Sequence, residues 1–170
     1  VRGYTPSVFA MLPKLLERAG VHRDGGSITG IYTTLVEGDD IHDPVADAVR
    51  GIVDGHIVLS RDLANRGHYP AIDVLQSISR LFTKVTTDQH RALATELREV
   101  MAVWAEHEEL VRLGAYAHGT DPEVDRAIAL QPQIRRFLRQ SADEPSGLAH
   151  TLEQLETLLH GPVPSGALTQ

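Results

Sequence analysis

Apolar residues recur along this chain at helical spacing, then in strand-like runs, then at helical spacing again. Val8, Met11, Leu12, Leu15 and Leu16 fall three and four apart, which predicts a helix over residues 6–19 with Gly20 as its stop. Thr5 or Ser7 suits its N-cap, and Pro13 is placed to split or bend it. Residues 21–26 read as a polar loop. Residues 27–36, rich in Ile, Thr, Tyr and Val, predict a mostly buried strand. An acidic turn leads to Pro44, which suits the first turn of a short helix reaching residue 53. Residues 56–59 predict a second strand, and residues 60–65 a short helix stopped by Gly67. Strand, helix, strand with short links implies a parallel sheet covered by helices.

Beyond about Lys84 the pattern changes. Thr86 or Thr87 suits the cap of a long helix reaching about residue 113, with Leu93, Leu97, Val100, Met101, Trp104, Leu110 and Val111 on one stripe. Residues 114–121 read as a turn. Two helices are expected over 122–130 and 133–140, and a last one over 146–159. The chain thus divides into an α/β portion over 1–84, a small all-α domain over 85–160 and a flexible tail over 161–170.

Composition narrows the classes. Of the 170 residues, 42% are hydrophobic and 23% charged, enough for a packed core. The net charge of -7 argues against a nucleic-acid partner, which calls for a basic face. There is no cysteine, so there are no disulfides or thiolate metal sites. No apolar run reaches the ~18 residues that a membrane helix needs. The start, Val1-Arg2-Gly3-Tyr4, carries no signal pattern and no initiator methionine, and reads as a cut inside a longer protein.

The candidate chemistry lies between Asp54 and Arg80. Tyr69, between His68 and Pro70, offers either a ring face to a nucleotide base or a buried structural aromatic. Arg80 follows Ser77-Ile78-Ser79 in a polar turn. It suits charge stabilisation on a transferring phosphoryl group, or a local pair with a carboxylate such as Asp73. No phosphate loop ending in Lys-Ser or Lys-Thr occurs, so a nucleotide site here is part of a site. Glu37, Asp39, Asp40 and Asp43 form an acidic loop without the spacing of a calcium loop; a solvated turn or a contact for a basic partner fits it. The 9 histidines show no ligand spacing, and no metal site is assigned.

These motifs, taken in order, resemble those of the flagellar and type III secretion export ATPases, which are similar to the catalytic subunits of rotary ATP synthases. The resemblance rests on Arg2 through Phe9, Leu16 through Gly20 and Gly26-Ser27-Ile28-Thr29-Gly30. It continues through Glu37-Gly38-Asp39-Asp40, Asp43-Pro44, Asp54 through Arg61, Gly67 through Asp73 and Ser77 through Arg80. Beyond these lie Gly114 through Ala117, Gly119 through Pro122 and Arg136-Phe137-Leu138.

The resemblance implies the C-terminal part of a RecA-like nucleotide-binding domain over 1–84, followed by the helical domain. It implies Arg80 as an arginine finger reaching a neighbouring subunit's site, and Tyr69 as the aromatic packing on adenine. It implies the loop with Glu37, Asp39, Asp40 and Asp43 as a contact for a central-stalk coiled coil, and the turn near Asp121, Glu123 and Asp125 as a region that pushes on that stalk. ATP and Mg²⁺ are the implied ligands, held mainly by residues outside this chain, which alone is expected to be inactive. A homo-hexamer, export substrates and their chaperones are the implied partners, on the cytoplasmic side and peripheral to the inner membrane. The whole is expected to couple ATP hydrolysis to export through a flagellar apparatus. Alternatives are a non-flagellar secretion ATPase, or a non-catalytic helical module that binds a stalk.

Overall fold

The computed structural model describes residues 5–36 and 43–162. Two compact units are present, one ending at His56 and the other beginning at Ile57. In the first, helix α1, Pro6–Leu16, starts with a proline at its N-terminus and runs through Pro13 without a break. A hairpin of β1, Gly20–Val21, and β2, Ser27–Ile28, follows; it is antiparallel, with Gly20 opposite Ile28 and Val21 opposite Ser27. Helix α2, Pro44–Ile52, packs on α1.

The strand expected over 27–36 is limited to Ser27–Ile28. Residues 29–36 are not in a strand, and Ile31 and Leu35 stand 92% and 91% exposed. Their β-forming side chains need a neighbouring strand and a covering face, because strand preference is mostly fit to a half-buried pleated surface. No strand among the described residues pairs with this run.

The second unit holds most of β3, Gly55–Leu59, with α3, Arg61–Asn65, then β4, Ile72–Ser79, and the one-turn helix α4, Phe82–Val85. β3 and β4 are hydrogen-bonded neighbours. The sequence pattern had given neither β4 nor α4. Helix α5, Asp88–Arg112, is capped by the Thr87 hydroxyl, which accepts the His90 N–H at 3.2 Å. Gly114 ends it in a left-handed conformation, φ 68°, that only glycine adopts without strain.

Helices α6, Pro122–Phe137, and α7, Leu148–His160, complete a three-helix core with α5. Leu93, Leu97 and Val100 of α5 meet Ala127, Leu130 and Ile134 of α6 and Leu155, Leu158 and Leu159 of α7. The α5 stripe ceases to be buried by Leu110, which is 47% exposed. The break expected between 130 and 133 does not occur: α6 runs through Pro132. An interior proline costs about 3 kcal/mol, but Leu130 and Ile134 on either side are each 2% exposed, so core packing fixes both turns. No helix among the described residues is long and apolar enough to cross a membrane. The observed class is an α/β portion followed by an all-α domain.

Candidate functional site

The loop from α3 to β4 presents the first candidate residue. Ser60 caps α3 by accepting the Leu63 N–H at 3.3 Å. Gly67, at φ 66°, lets the chain reverse just past the helix, and the His68 N–H then donates to the Leu63 carbonyl at 2.9 Å. His68 is buried. Burial pushes its pKa down, the nearby Arg139 and Arg135 charges push it further, and a backbone bond with Leu138 opposes them. Tyr69 is 59% exposed and is joined to Pro70 by a cis peptide bond. The reading of Tyr69 as a buried structural aromatic therefore does not hold.

The end of α6 is stitched to this loop. The Gln140 N–H donates to the Tyr69 carbonyl at 3.0 Å, and Arg139 Nη2 donates to the Arg66 carbonyl at 3.5 Å. Arg66 in turn meets Glu108 of α5 at 3.5 Å. Between the two segments lies an open depression of about 360 Å³, lined by Tyr69, Pro70, Gln140, Ser141, Ala142 and Glu144. Its far wall is tied off by Gln140 Nε2, which donates to the Glu144 carbonyl at 2.6 Å. The Ser141 N–H adds a bond to the Glu144 carboxylate at 3.3 Å. An aromatic face beside a proline ring, rimmed by amide, hydroxyl and carboxylate groups, suits a flat heteroaromatic base with polar edges. Sequence reasoning had missed the Gln140–Glu144 wall, because no spacing rule links residue 69 to a turn 71 positions later.

Arg80 stands exposed in the turn directly after β4 and is not among the residues lining the Tyr69 depression. Asp73, its suggested local partner, accepts the Gln76 N–H at 3.0 Å and the Gln76 side-chain amide at 2.8 Å. Asp43 is buried, and its carboxylate accepts the Val45 and Ala46 N–H groups at 2.9 and 3.1 Å, capping α2. Glu37, Asp39 and Asp40 lie outside the described residues, as do residues 163–170 of the expected tail.

The turn between α5 and α6 is built around Asp125. Its carboxylate takes the Gly119 N–H at 2.9 Å, the Tyr116 hydroxyl at 3.0 Å and His118 Nδ1 at 3.0 Å. Desolvation pushes the Asp125 pKa up, but the Gly119, Tyr116 and His118 contacts together outweigh it and hold it below the usual carboxylate range. Asp121 caps α6 through the Glu123 and Val124 N–H groups. Elsewhere Glu96 of α5 ties the three helices together. Its carboxylate pairs with Arg126 and with His160 Nε2 at 2.9 Å, and Arg126 also reaches the Leu159 carbonyl at 3.3 Å. The Arg126 bond lowers the Glu96 pKa most; burial opposes it and His160 reinforces it. Among the described residues no group of three or more His, Asp or Glu side chains is placed to hold a metal ion.

With this geometry in hand, comparison with known proteins gives two family matches. Residues 1–79 match the ATP synthase alpha/beta family, nucleotide-binding domain, and residues 86–157 match the T3SS EscN ATPase C-terminal domain. The chain is 50% identical over 157 residues to the flagellum-specific ATP synthase of Bacillus subtilis (strain 168), covering 92% of this chain and 36% of that protein. It is 54% identical over 156 residues to the SPI-2 type 3 secretion system ATPase of Salmonella typhimurium, covering 92% of this chain and 36% of that protein. Among solved structures, the assembled ATPase EscN from the enteropathogenic E. coli type III secretion system superposes with TM-score 0.88 at 47% identity, over 94% of this chain and 39% of that one. EscN in complex with its central stalk EscO superposes with TM-score 0.81 at 44% identity, over 92% and 37%. The chain spans about a third of the length of the curated relatives it matches.

Proposed function

Because this chain belongs to the ATP synthase alpha/beta family, in its flagellar and type III secretion branch, we propose that it serves a hexameric ATPase that drives protein export. Residues 1–84 contribute the end of the nucleotide-binding domain, and residues 85–160 the helical domain. The observation that carries the reading is the depression framed by Tyr69 and Gln140–Glu144. Its exposed ring and polar rim suit adenine, and it lies within one compact unit with Arg80 but apart from it. Tyr69 then serves the nucleotide of its own subunit. Arg80, at the surface after β4, reaches the phosphates held by the next subunit.

A guanidinium suits that task because it stays charged and its fork can meet two phosphoryl oxygens as charge develops in the transition state. Such a finger acts only within an oligomer. The relative solved as an assembled ATPase supports this arrangement, and the EscN–EscO complex supports a central stalk as partner. The acidic loop around Glu37, Asp39 and Asp40 is the proposed stalk contact, with Asp43 as its buried anchor at α2. In a site for ATP with Mg²⁺, the part proposed for this segment is contact with base and phosphates.

Flagellar and non-flagellar export stand equally close, since relatives of both kinds match at 50% and 54% identity. Genetic complementation separates them. The full-length protein carrying this segment is introduced into strains lacking either the flagellar or the injectisome ATPase. Restored filament export assigns the flagellar role, and restored effector secretion assigns the other. A well-expressed protein that restores neither refutes the export reading.

A further inference from the structure

Arg98 lies on α5 beside the core residue Leu97, but its guanidinium leaves the helical core and reaches the backbone of β4. Nη1 donates to the Val74 carbonyl and, at 3.4 Å, to the Ser77 carbonyl; Nη2 donates to the Leu75 carbonyl at 3.0 Å. The stretch it holds is not a plain strand. Asp73 accepts the Gln76 N–H at 3.0 Å, and the Ser77 hydroxyl donates to the Asp73 carbonyl at 2.6 Å. On a straight strand, residues three and four apart are separated by roughly 10–13 Å, so these bonds mark a bend through residues 73–77. β3 holds the bend on one side, where the Val58 N–H donates to the Ser77 hydroxyl at 3.0 Å. Arg98 holds it from α5. Arg80 follows three residues after the last carbonyl gripped.

We propose that Arg98 is a positioning residue for Arg80: it clamps the bend of β4 from the helical domain and so fixes the direction in which Arg80 leaves the strand. The proposal rests on the reading of Arg80 as the finger for a neighbouring site. The grip needs a guanidinium. Its donors are spread over a rigid plane and reach three carbonyls at once, whereas a lysine concentrates its donors on one nitrogen. The clamp is also mechanical. Arg98 sits between Leu97 and Val100, both locked in the three-helix core, so a displacement of α5 is passed directly to the bend. Motion of the helical domain is thereby linked to the placement of Arg80.

The test uses the full-length ATPase carrying this segment, with Arg98→Met, which keeps the aliphatic stem, and with Arg98→Lys. Arg98→Met is expected to lower kcat by about 10–100-fold, the scale of an ångström-level misplacement, with the KM for ATP changed by less than about twofold. Arg98→Lys is expected to lie closer to Arg98→Met than to the parent, and amide exchange over residues 74–81 is expected to quicken in both. The deciding measurement is the double variant. If Arg98 acts through Arg80, then Arg80→Ala/Arg98→Met is no slower than Arg80→Ala alone. An equal further loss in the Arg80→Ala background, or full kcat in Arg98→Met while Arg80→Ala is slow, overturns the proposal alone. Full activity in Arg80→Ala overturns the finger reading and the proposal with it. Should Arg98→Met not fold, Arg98→Lys carries the same cycle.

Discussion

Replacing Tyr69 by alanine tests the proposed stacking of its exposed ring on a nucleotide base. The bond that joins the two segments lining the depression runs from the Gln140 N–H to the Tyr69 backbone carbonyl, so removal of the side chain leaves that tie in place. The ring is 59% exposed, so folding should change by no more than about 0.5 kcal/mol, as for a surface substitution. A base stacked on an aromatic side chain is worth about 1–3 kcal/mol by alanine substitution, which is roughly a 5- to 150-fold loss in affinity. Calorimetric titration of the full-length protein with ATP and with inorganic tripolyphosphate reads the effect. Tyr69→Ala should weaken ATP by that factor and leave tripolyphosphate unchanged, while Tyr69→Phe should bind ATP almost as the parent does. Parental ATP affinity in Tyr69→Ala, or an equal loss for tripolyphosphate, refutes adenine stacking.

The buried His68 gives the loop beneath Tyr69 a pH dependence of known sign. Burial holds its folded pKa below the ordinary histidine value of 6.5, so the unfolded chain takes up the proton first, and stability is lost as pH falls below about 6.5. Thermal melts between about pH 7.5 and pH 5.5 should show a shallower decline for His68→Gln than for the parent; identical slopes contradict the assignment. Leu130→Ala, at a site 2% exposed, should destabilise the helical domain by about 2–5 kcal/mol in urea unfolding, and a change under about 1 kcal/mol would mean that the three-helix core is misplaced. Asp125→Asn should raise amide exchange over residues 114–121 without affecting the core of α6, because Asp125 gathers Gly119, Tyr116 and His118. Unchanged exchange there would show that the turn is held by other means.

Where one short stretch decides its own conformation, the sequence was easily read. Thr87, one of the two caps expected before α5, and Gly114, expected to open the turn after it, act through bonds to residues a few positions away and stand where expected, while Ser60, expected as the first residue of its helix, caps α3 instead. The misses come from distant partners. Residues 29–36 have strand-forming side chains but no strand beside them among the described residues. Pro132 signals a break, yet the packing of Leu130 and Ile134 overrides it. β4 escaped notice because Asp73, Gln76 and Ser77 interrupt its apolar alternation, and those polar residues form the bend that Arg98 grips. Tyr69 and Arg80 drew attention through residue type and local motif. Gln140 and Glu144 did not, since only the fold brings them to Tyr69.

The central claim is that Arg80 completes a neighbour's catalytic site. Arg80→Ala in the full-length protein, with oligomeric state checked by light scattering and ATP affinity by titration, tests it most directly. The account predicts intact oligomers that bind ATP as the parent does but hydrolyse it about 10³–10⁵ times more slowly. Intact oligomers hydrolysing ATP at the parental rate would contradict it.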